Sequence, residues 1–420
     1  MEEVQGFAAR RAALRLIDAV LRRGETLDNA AHAACQGLPQ PDRALARALA
    51  SEVLRWLIDL DALIDSAMAQ PLPEDAKPRA VLRLMLAGWL RLETPPHAVI
   101  ATGLPLLGGG PRRLAHGVFS ALSRRGATLP AQPTLPLDVA ARWADVRRED
   151  RLEAIAAALV LPPPLDLCLR DPAETALWAE RLGGVSLAPG HVRLPRGQAV
   201  ETLEGFAEGA WWVQDLAAAL PARLLGAGEG RSVLDLCAAP GGKTLQLAAA
   251  GWAVTALDVS ERRLDLVRDN LARTGLSAEL IVGDARNWEP ERLFDAILID
   301  APCTATGTCR RHPDVLHRVR ERLIGEMATL QAALLTRAAG WLKPGGRLVY
   351  AVCSLEREEG EEQAARVARK LGLTVDPITA DELPMGLVPT AEGWLRTDPG
   401  MLADVGGLDG FFVGRWKREG

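Results

Sequence analysis

Leu234-Asp235-Leu236-Cys237-Ala238-Ala239-Pro240-Gly241-Gly242-Lys243-Thr244 is an apolar strand running into a glycine-rich turn, and its reading decides the fold of the second half of the chain. From Gly230 onward the pattern repeats. Strands are expected over 232–236, 253–257, 280–282, 296–299 and 347–352, with amphipathic helices between them. That alternation implies an α/β architecture, a doubly wound, mostly parallel sheet with helices on both faces. Ligands of such sheets collect just outside the carboxyl ends of the strands, so residues at strand exits should carry the site.

The turn narrows the ligand. Gly241 and Gly242 lack the Cβ that would hold a bound group away from the backbone. Asp258 ends the second strand, about 20 residues on, where a carboxylate suits ribose hydroxyls. Asp284, after the third strand, adds a polar group at the rim. A dinucleotide site prefers G-x-G-x-x-G, which is absent, and a P-loop needs glycine where Cys237 stands. S-adenosylmethionine fits what remains, because its sulfonium and ammonium cations tolerate a carboxylate-rich pocket.

Two cysteines then stand out. Cys303 closes Ile299-Asp300-Ala301-Pro302-Cys303, and Cys353 closes Tyr350-Ala351-Val352-Cys353, each at the end of an apolar run. Both thiols should therefore face one crevice. Singly, each reads as a small buried hydrophobe. As a pair beside a nucleoside-cofactor turn, they read as covalent chemistry. Carbon 5 of a pyrimidine is a poor nucleophile, and methylating it requires prior addition of a nucleophile at carbon 6. A thiolate suits that step, since free cysteine, with a pKa of about 8.5, is strongly nucleophilic even when only slightly ionised. A second group near the base can assist release. Asp300, on the loop of Cys303, is placed to hydrogen-bond the N3 and N4 edge of a cytosine.

With 420 residues and 48% hydrophobic content, the chain has room for two or three domains with real cores. A net charge of -5 gives no whole-protein field for nucleic acid, so any basic surface is local, as at the pairs Arg10-Arg11, Arg112-Arg113 and Arg310-Arg311. Six cysteines without CxxC spacing argue against zinc or a disulfide framework, and no metal is expected. No apolar run approaches the roughly 18 residues of a membrane span, and no signal-peptide pattern opens the chain. A cytoplasmic monomer without membrane contact is the expectation.

Apolar residues at three-and-four spacing make 8–125 helical. Pro130-Ala131-Gln132-Pro133-Thr134-Leu135-Pro136 reads as a linker. The expected division is a helical domain over 1–128, a Pro-rich linker over 129–137, a small α+β module over 138–228 and a catalytic domain over 229–420. Trp211 and Trp212 are expected to pack rather than to stack on bases.

Cys237-Ala238-Ala239-Pro240-Gly241-Gly242-Lys243, Asp300-Ala301-Pro302-Cys303 and Cys353-Ser354, in that order, closely resemble the Sun/Fmu family of RNA cytosine-5 methyltransferases. The resemblance extends to Val213-Gln214-Asp215, Arg310-Arg311-His312-Pro313-Asp314 and Asp409-Gly410-Phe411-Phe412. Pro95-Pro96-His97-Ala98 and Gly117-Val118-Phe119 look like a NusB-type RNA-binding domain. The resemblance implies an all-α NusB-like domain, a small RNA-binding module and a Rossmann-like class I methyltransferase. It implies cofactor contacts from Cys237, Ala238, Ala239, Pro240, Gly241, Gly242, Lys243, Asp258, Asp284 and Asp300. It further implies attack by Cys353, product release aided by Cys303, substrate contacts from Arg310, Arg311 and His312, and a cytosine of small-subunit (16S) ribosomal RNA as substrate.

Two departures accompany it. Val352 stands where the family often has threonine, and Cys309 adds a thiol expected to make the site more prone to oxidation. Three alternatives stay open: action on transfer RNA, a non-catalytic RNA-binding factor, and a DNA cytosine methyltransferase whose nucleophile lies in a Pro-Cys pair such as Pro302-Cys303. Cys353 and the helical domain favour RNA.

Overall fold

The computed structural model describes residues 6–144 and 149–420, and the chain divides into two compact units, Met1–Leu161 with Arg311–Val319, and Pro162–Arg310 with Arg320–Gly420. In the first unit the apolar faces of the helices Phe7–Arg23, Gln40–Arg55, Lys77–Leu90 and Gly109–Arg124 close on one another. Leu16, Leu49, Val53, Leu82, Leu86 and Phe119 are buried at the centre, as the three-and-four spacing requires. The buried guanidinium of Arg83 makes two bonds to Asp61, at 2.8 and 2.7 Å, so it is not left unpaired.

The segment read as a linker is tied down. Asp59 accepts from Thr134 N at 2.9 Å and from Thr134 Oγ1 at 2.7 Å. Beyond it the helices Leu137–Ala144 and Glu149–Ala158 belong to the helical unit, not to the α+β module expected from 138 onward. Val160 packs against the helical core and its carbonyl accepts from Arg91 Nη2 at 2.6 Å, so the boundary falls at Leu161. The proline pattern marks extended chain, and extended chain need not be free. The short helix Val315–Arg318, far along the chain, is also part of this unit, with His317 Nε2 2.6 Å from the carbonyl of Leu54.

The second unit opens with a three-stranded antiparallel sheet in which β1 (Leu165–Leu169) lies between β2 (His191–Leu194) and β3 (Trp211–Val213). Both indoles of β3 are buried, and each N–H has a partner: Trp211 donates to Glu204 O at 2.9 Å and Trp212 to Gln214 Oε1 at 2.7 Å. They pack, as expected. Asp166 on β1 receives Arg193 at 2.7 and 2.8 Å and the N–H of Leu216 at 3.0 Å. Burial opposes that charge, but the bonds from Arg193 and His191 outweigh it and hold the carboxyl well below the usual range.

The main sheet has the strand order β10-β11-β8-β7-β4-β5-β6, with β9 (Leu373–Val375) also on β11. Its parallel centre is β4 (Ser232–Leu236), β5 (Ala253–Asp258), β6 (Glu279–Val282), β7 (Phe294–Asp300) and β8 (Leu342–Val352). β10 (Leu395–Arg396) and β11 (Phe412–Arg418) complete it, with β11 antiparallel to β8. Val233, Leu234, Ile297, Leu298, Val349 and Tyr350 are fully buried, as strands covered on both faces demand. Strand order reverses between β4 and β7, so the crevice at their carboxyl ends is the topological switch point.

Candidate active site

The turn after β4 lies at that switch point. Cys237 and Gly241 both have positive φ, 62° and 104°. A Cβ on Gly241 would stand 3.0 Å from Val267, so glycine is required there by conformation and by space. Asp258 braces the turn from the end of β5, its two oxygens accepting from Ala239 N at 3.1 Å and Ser260 N at 3.0 Å. From the turn the helix Gly242–Ala249 departs, carrying Lys243, whose Nζ lies 2.7 Å from Asp300 Oδ2 at the end of β7. Burial opposes the ammonium charge, yet the carboxylate of Asp300 raises the Lys243 pKa above its ordinary value.

A cavity of about 350 Å³ is lined here by Asp235, Gly241, Gly242, Lys243, Asp300 and Trp212, among others. Asp235, fully buried on β4, accepts from Thr244 Oγ1 at 2.6 Å with one oxygen, while its Oδ1 has no partner. With Lys243 committed to Asp300 and Arg263 lying 3.7 Å from Asp258, the orphaned buried acceptor of Asp235 leaves a place for a donor from a bound ligand. A ligand carrying an ammonium and a sulfonium fits that donor set. Burial and the neighbouring carboxylates push the Cys237 thiol well up.

Asp235 yields a prediction. Burial pushes its carboxyl up to about 7, so the folded, ligand-free protein holds this proton more tightly than the unfolded chain. The associated stability is present below about pH 4 and lost as pH rises toward 7, up to roughly 4 kcal/mol. Asp235→Asn stays neutral throughout. Its melting temperature relative to wild type should rise by several degrees between pH 4 and pH 7.5; parallel curves would remove the assignment.

Parallel pairing of β7 with β8, with Asp300 opposite Ala351, sends the two cysteine loops out side by side. Cys303 Sγ and Cys353 Sγ are 3.4 Å apart, and both residues are half-buried. Beneath them Gly307 N donates to Cys353 O at 3.0 Å, and Gly410 N to Gly307 O at 2.8 Å. A Cβ on Gly307 would come within 1.9 Å of Gly410 O, so only glycine allows this approach. The hydrogen bond with Cys353 and burial raise the Cys303 thiol well above the ordinary cysteine range. Cys303 is thereby biased towards its protonated form.

Comparison with known proteins is decisive for the family. A family model described as 16S rRNA methyltransferase RsmB/F matches residues 222–414, and a NusB family model matches residues 8–106. Ribosomal RNA small subunit methyltransferase B of Klebsiella pneumoniae subsp. pneumoniae is 37% identical over 85% of this chain and 88% of its own length. The chain belongs to the RsmB/F family. The protein of the same name from Citrobacter koseri is 35% identical, covering 97% of this chain and 98% of its own. A methyltransferase homolog protein of Pyrococcus horikoshii, solved as a crystal structure, matches with a TM-score of 0.56 and 27% identity over 71% of this chain and 98% of its own. As an RsmB/F-family enzyme, the protein is a methyltransferase whose cofactor is S-adenosylmethionine.

Several residues of this RsmB/F-family chain stand otherwise than expected. Arg310 is buried, not presented to substrate: Nη1 donates to Gly406 O at 2.8 Å, and Nη2 lies 3.7 Å from Asp215 and 3.5 Å from Asp409. Through them the end of the Cys303 loop is joined to the segment after β3, by Asp215, and to the segment before β11, by Asp409. Arg311 and His312 fall in the helical unit, where His312 Nδ1 is 3.4 Å from Asp28. Asp284 follows β6 as expected, but Arg286 forks onto it at 2.6 to 3.0 Å. Cys309 is fully buried rather than available to oxidants, because the loop folds it inward. No helix among the described residues is long and apolar enough to cross a membrane.

Reading the sequence missed two acids. Asp235 carried a usable signal, a carboxylate inside Val233-Leu234-Asp235-Leu236. Glu359 carried none, since Glu356-Arg357-Glu358-Glu359-Gly360-Glu361-Glu362 reads as a solvated charge run. Yet Glu359 is fully buried.

Proposed function

We propose that this enzyme methylates carbon 5 of a cytosine in 16S ribosomal RNA through a covalent adduct at carbon 6. The observation that carries the reading is the thiol pair at 3.4 Å, on loops leaving adjacent strands, next to the Lys243–Asp300 ion pair. The family description and the names of the curated relatives supply the ribosomal substrate, and that substrate argues for action in the cytoplasm.

In this reading the Cys353 thiolate forms the S–C6 bond, and the electron pair of the C5–C6 double bond moves onto C5. Bound S-adenosylmethionine supplies the methyl group. The Asp300 carboxylate, held by Lys243, accepts from the exocyclic amino group and orients the ring. While Cys353 carries charge, Cys303 keeps its proton. Once Cys353 is bonded to carbon, two of the causes that raise the Cys303 pKa disappear, its hydrogen bond with Cys353 and repulsion by that sulfur. Cys303 then gives its proton to solvent more readily, and the resulting thiolate takes the proton on C5, which restores the thiol. The C5–C6 double bond re-forms as the S–C6 bond breaks. The target base must leave its stack or come from a single strand to enter.

Bisulfite mapping of 16S rRNA from cells lacking the protein tests the substrate. One cytosine should lose its protection and regain it when the gene is restored. Unchanged ribosomal RNA with a lost site in transfer RNA would overturn the ribosomal assignment.

A further inference from the structure

Two loops leave the sheet to present the thiols, and neither Cys303 nor Cys353 lies in a helix or strand. Their spacing must be fixed by something else. Beneath them sits Glu359, in the segment between β8 and the helix Glu361–Lys370. Its Oε1 accepts from Ser354 Oγ at 2.7 Å and also from Thr304 Oγ1. Its Oε2 accepts from Thr304 N at 3.0 Å and from Gln331 Nε2 at 2.9 Å. The same Gln331 nitrogen donates to Pro302 O at 2.9 Å. One carboxyl thus grips the residue after Cys303, the residue after Cys353 and, through Gln331, the residue before Cys303.

Four donors converge on two oxygens, which is the full acceptor capacity of an ionised carboxylate and more than a protonated acid or an amide offers. Gln331 is turned to serve it: its donors meet Glu359 and Pro302, while its own Oε1 is left without a partner. Ser354 and Thr306 extend the network, with Leu355 N donating to Thr306 Oγ1 at 2.9 Å and Glu356 N to Ser354 Oγ at 3.1 Å. Behind Glu359, its carbonyl accepts from Tyr350 OH on β8 at 2.6 Å.

We propose that Glu359 is a positioning residue for the reaction, whose buried carboxylate locks the two cysteine loops together and so sets the distance across which Cys303 aids release of the product from Cys353. The proposal rests on the roles assigned to the two cysteines. Glu359 touches neither substrate nor reacting atoms. It acts through Thr304, Ser354 and Pro302. Because it acts on the loops and not on the cofactor cavity, its loss should leave cofactor affinity alone while changing the encounter between the two sulfurs.

The test uses the full-length protein with Glu359→Gln, which keeps the shape but replaces one acceptor oxygen by a donor. Dibromobimane bridges neighbouring thiols and fluoresces when it does, so it reads Cys303–Cys353 spacing without any turnover. Bridging should slow at least fivefold, kcat should fall at least tenfold with KM for RNA little changed, and covalent enzyme–RNA adduct should persist longer than in wild type. Wild-type bridging together with wild-type adduct lifetime would overturn the proposal. Should Glu359→Gln fail to fold, Gln331→Leu decides, since from outside both loops it removes one of the four donors to Glu359 together with the link to Pro302: slowed bridging supports the proposal and unchanged bridging overturns it. Failure of the underlying cysteine roles shows separately, as turnover by an enzyme lacking the Cys353 thiol, and leaves the bridging result standing.

Discussion

Cys353→Ala is expected to lower methyl transfer by more than about 10³-fold, to the limit of detection, while binding S-adenosylmethionine as wild type does. Without the sulfur, nothing adds to carbon 6 and carbon 5 stays a poor nucleophile. Cys303 does not substitute, because burial and the nearby Glu359 carboxyl still favour its protonated form once the neighbouring thiol is removed. The fold has little reason to respond. Cys353 is half-buried, its structural bond is made by its backbone carbonyl to Gly307 N, and alanine preserves that bond. Cys353 also does not line the cavity formed by Asp235, Lys243 and Asp300, so cofactor binding serves as the internal control. Tritium transfer from labelled cofactor into 16S rRNA, alongside calorimetric titration of the cofactor, makes the measurement. Turnover within tenfold of wild type would remove Cys353 as nucleophile.

Cys303→Ala should do the opposite of killing the first step. Attack by Cys353 and methyl uptake need no proton acceptor at C5, whereas elimination does. The variant should therefore accumulate enzyme joined to methylated RNA, stable to denaturing electrophoresis, with release slowed by about 10²-fold or more. The 3.4 Å separation of the sulfurs makes the effect specific, since a group acting on C5 must lie within reach of the same ring. The adduct should vanish in the double variant Cys303→Ala, Cys353→Ala. A Cys303→Ala enzyme that turns over freely with no trapped complex would exclude the release role. The pair of single variants thus separates bond making from bond breaking.

Much of the catalytic fold is legible in the sequence because buried parallel strands are short, apolar and β-branched. The strand expected over 232–236 spans Ser232–Leu236, and that expected over 253–257 runs to Asp258. β8 begins at Leu342, earlier than expected: Leu342 pairs with Phe294 and Arg347 with Ala296, while Lys343-Pro344-Gly345-Gly346 bulges out between them. β11 escaped because Arg415 and Lys417 interrupt its pattern. Arg415 is buried only by virtue of Glu382, Asp376 and the carbonyls of Leu224 and Pro377, all distant in sequence. The strand-exit cysteines and the turn were readable because chemistry concentrates there. Arg310 and Glu359 were not, for one physical reason. A charged residue looks solvent-exposed in sequence, and only its tertiary partners make its burial tolerable, the carboxylates of Asp215 and Asp409 by opposing the charge of Arg310, and Thr304, Ser354 and Gln331 by donating hydrogen bonds to Glu359.

β11 also bears on how the chain is made. Residues 412–418 hydrogen-bond along 347–352 and carry β9 and β10 on their free side. Gly410, just ahead of them, caps the loop under the thiols. During translation the growing polypeptide can assemble its helical core early, but the edge of the methyl-transfer sheet stays open until the final strand emerges from the ribosomal tunnel. Nascent chains stalled before residue 410 should be catalytically silent and adhesive along that uncovered edge.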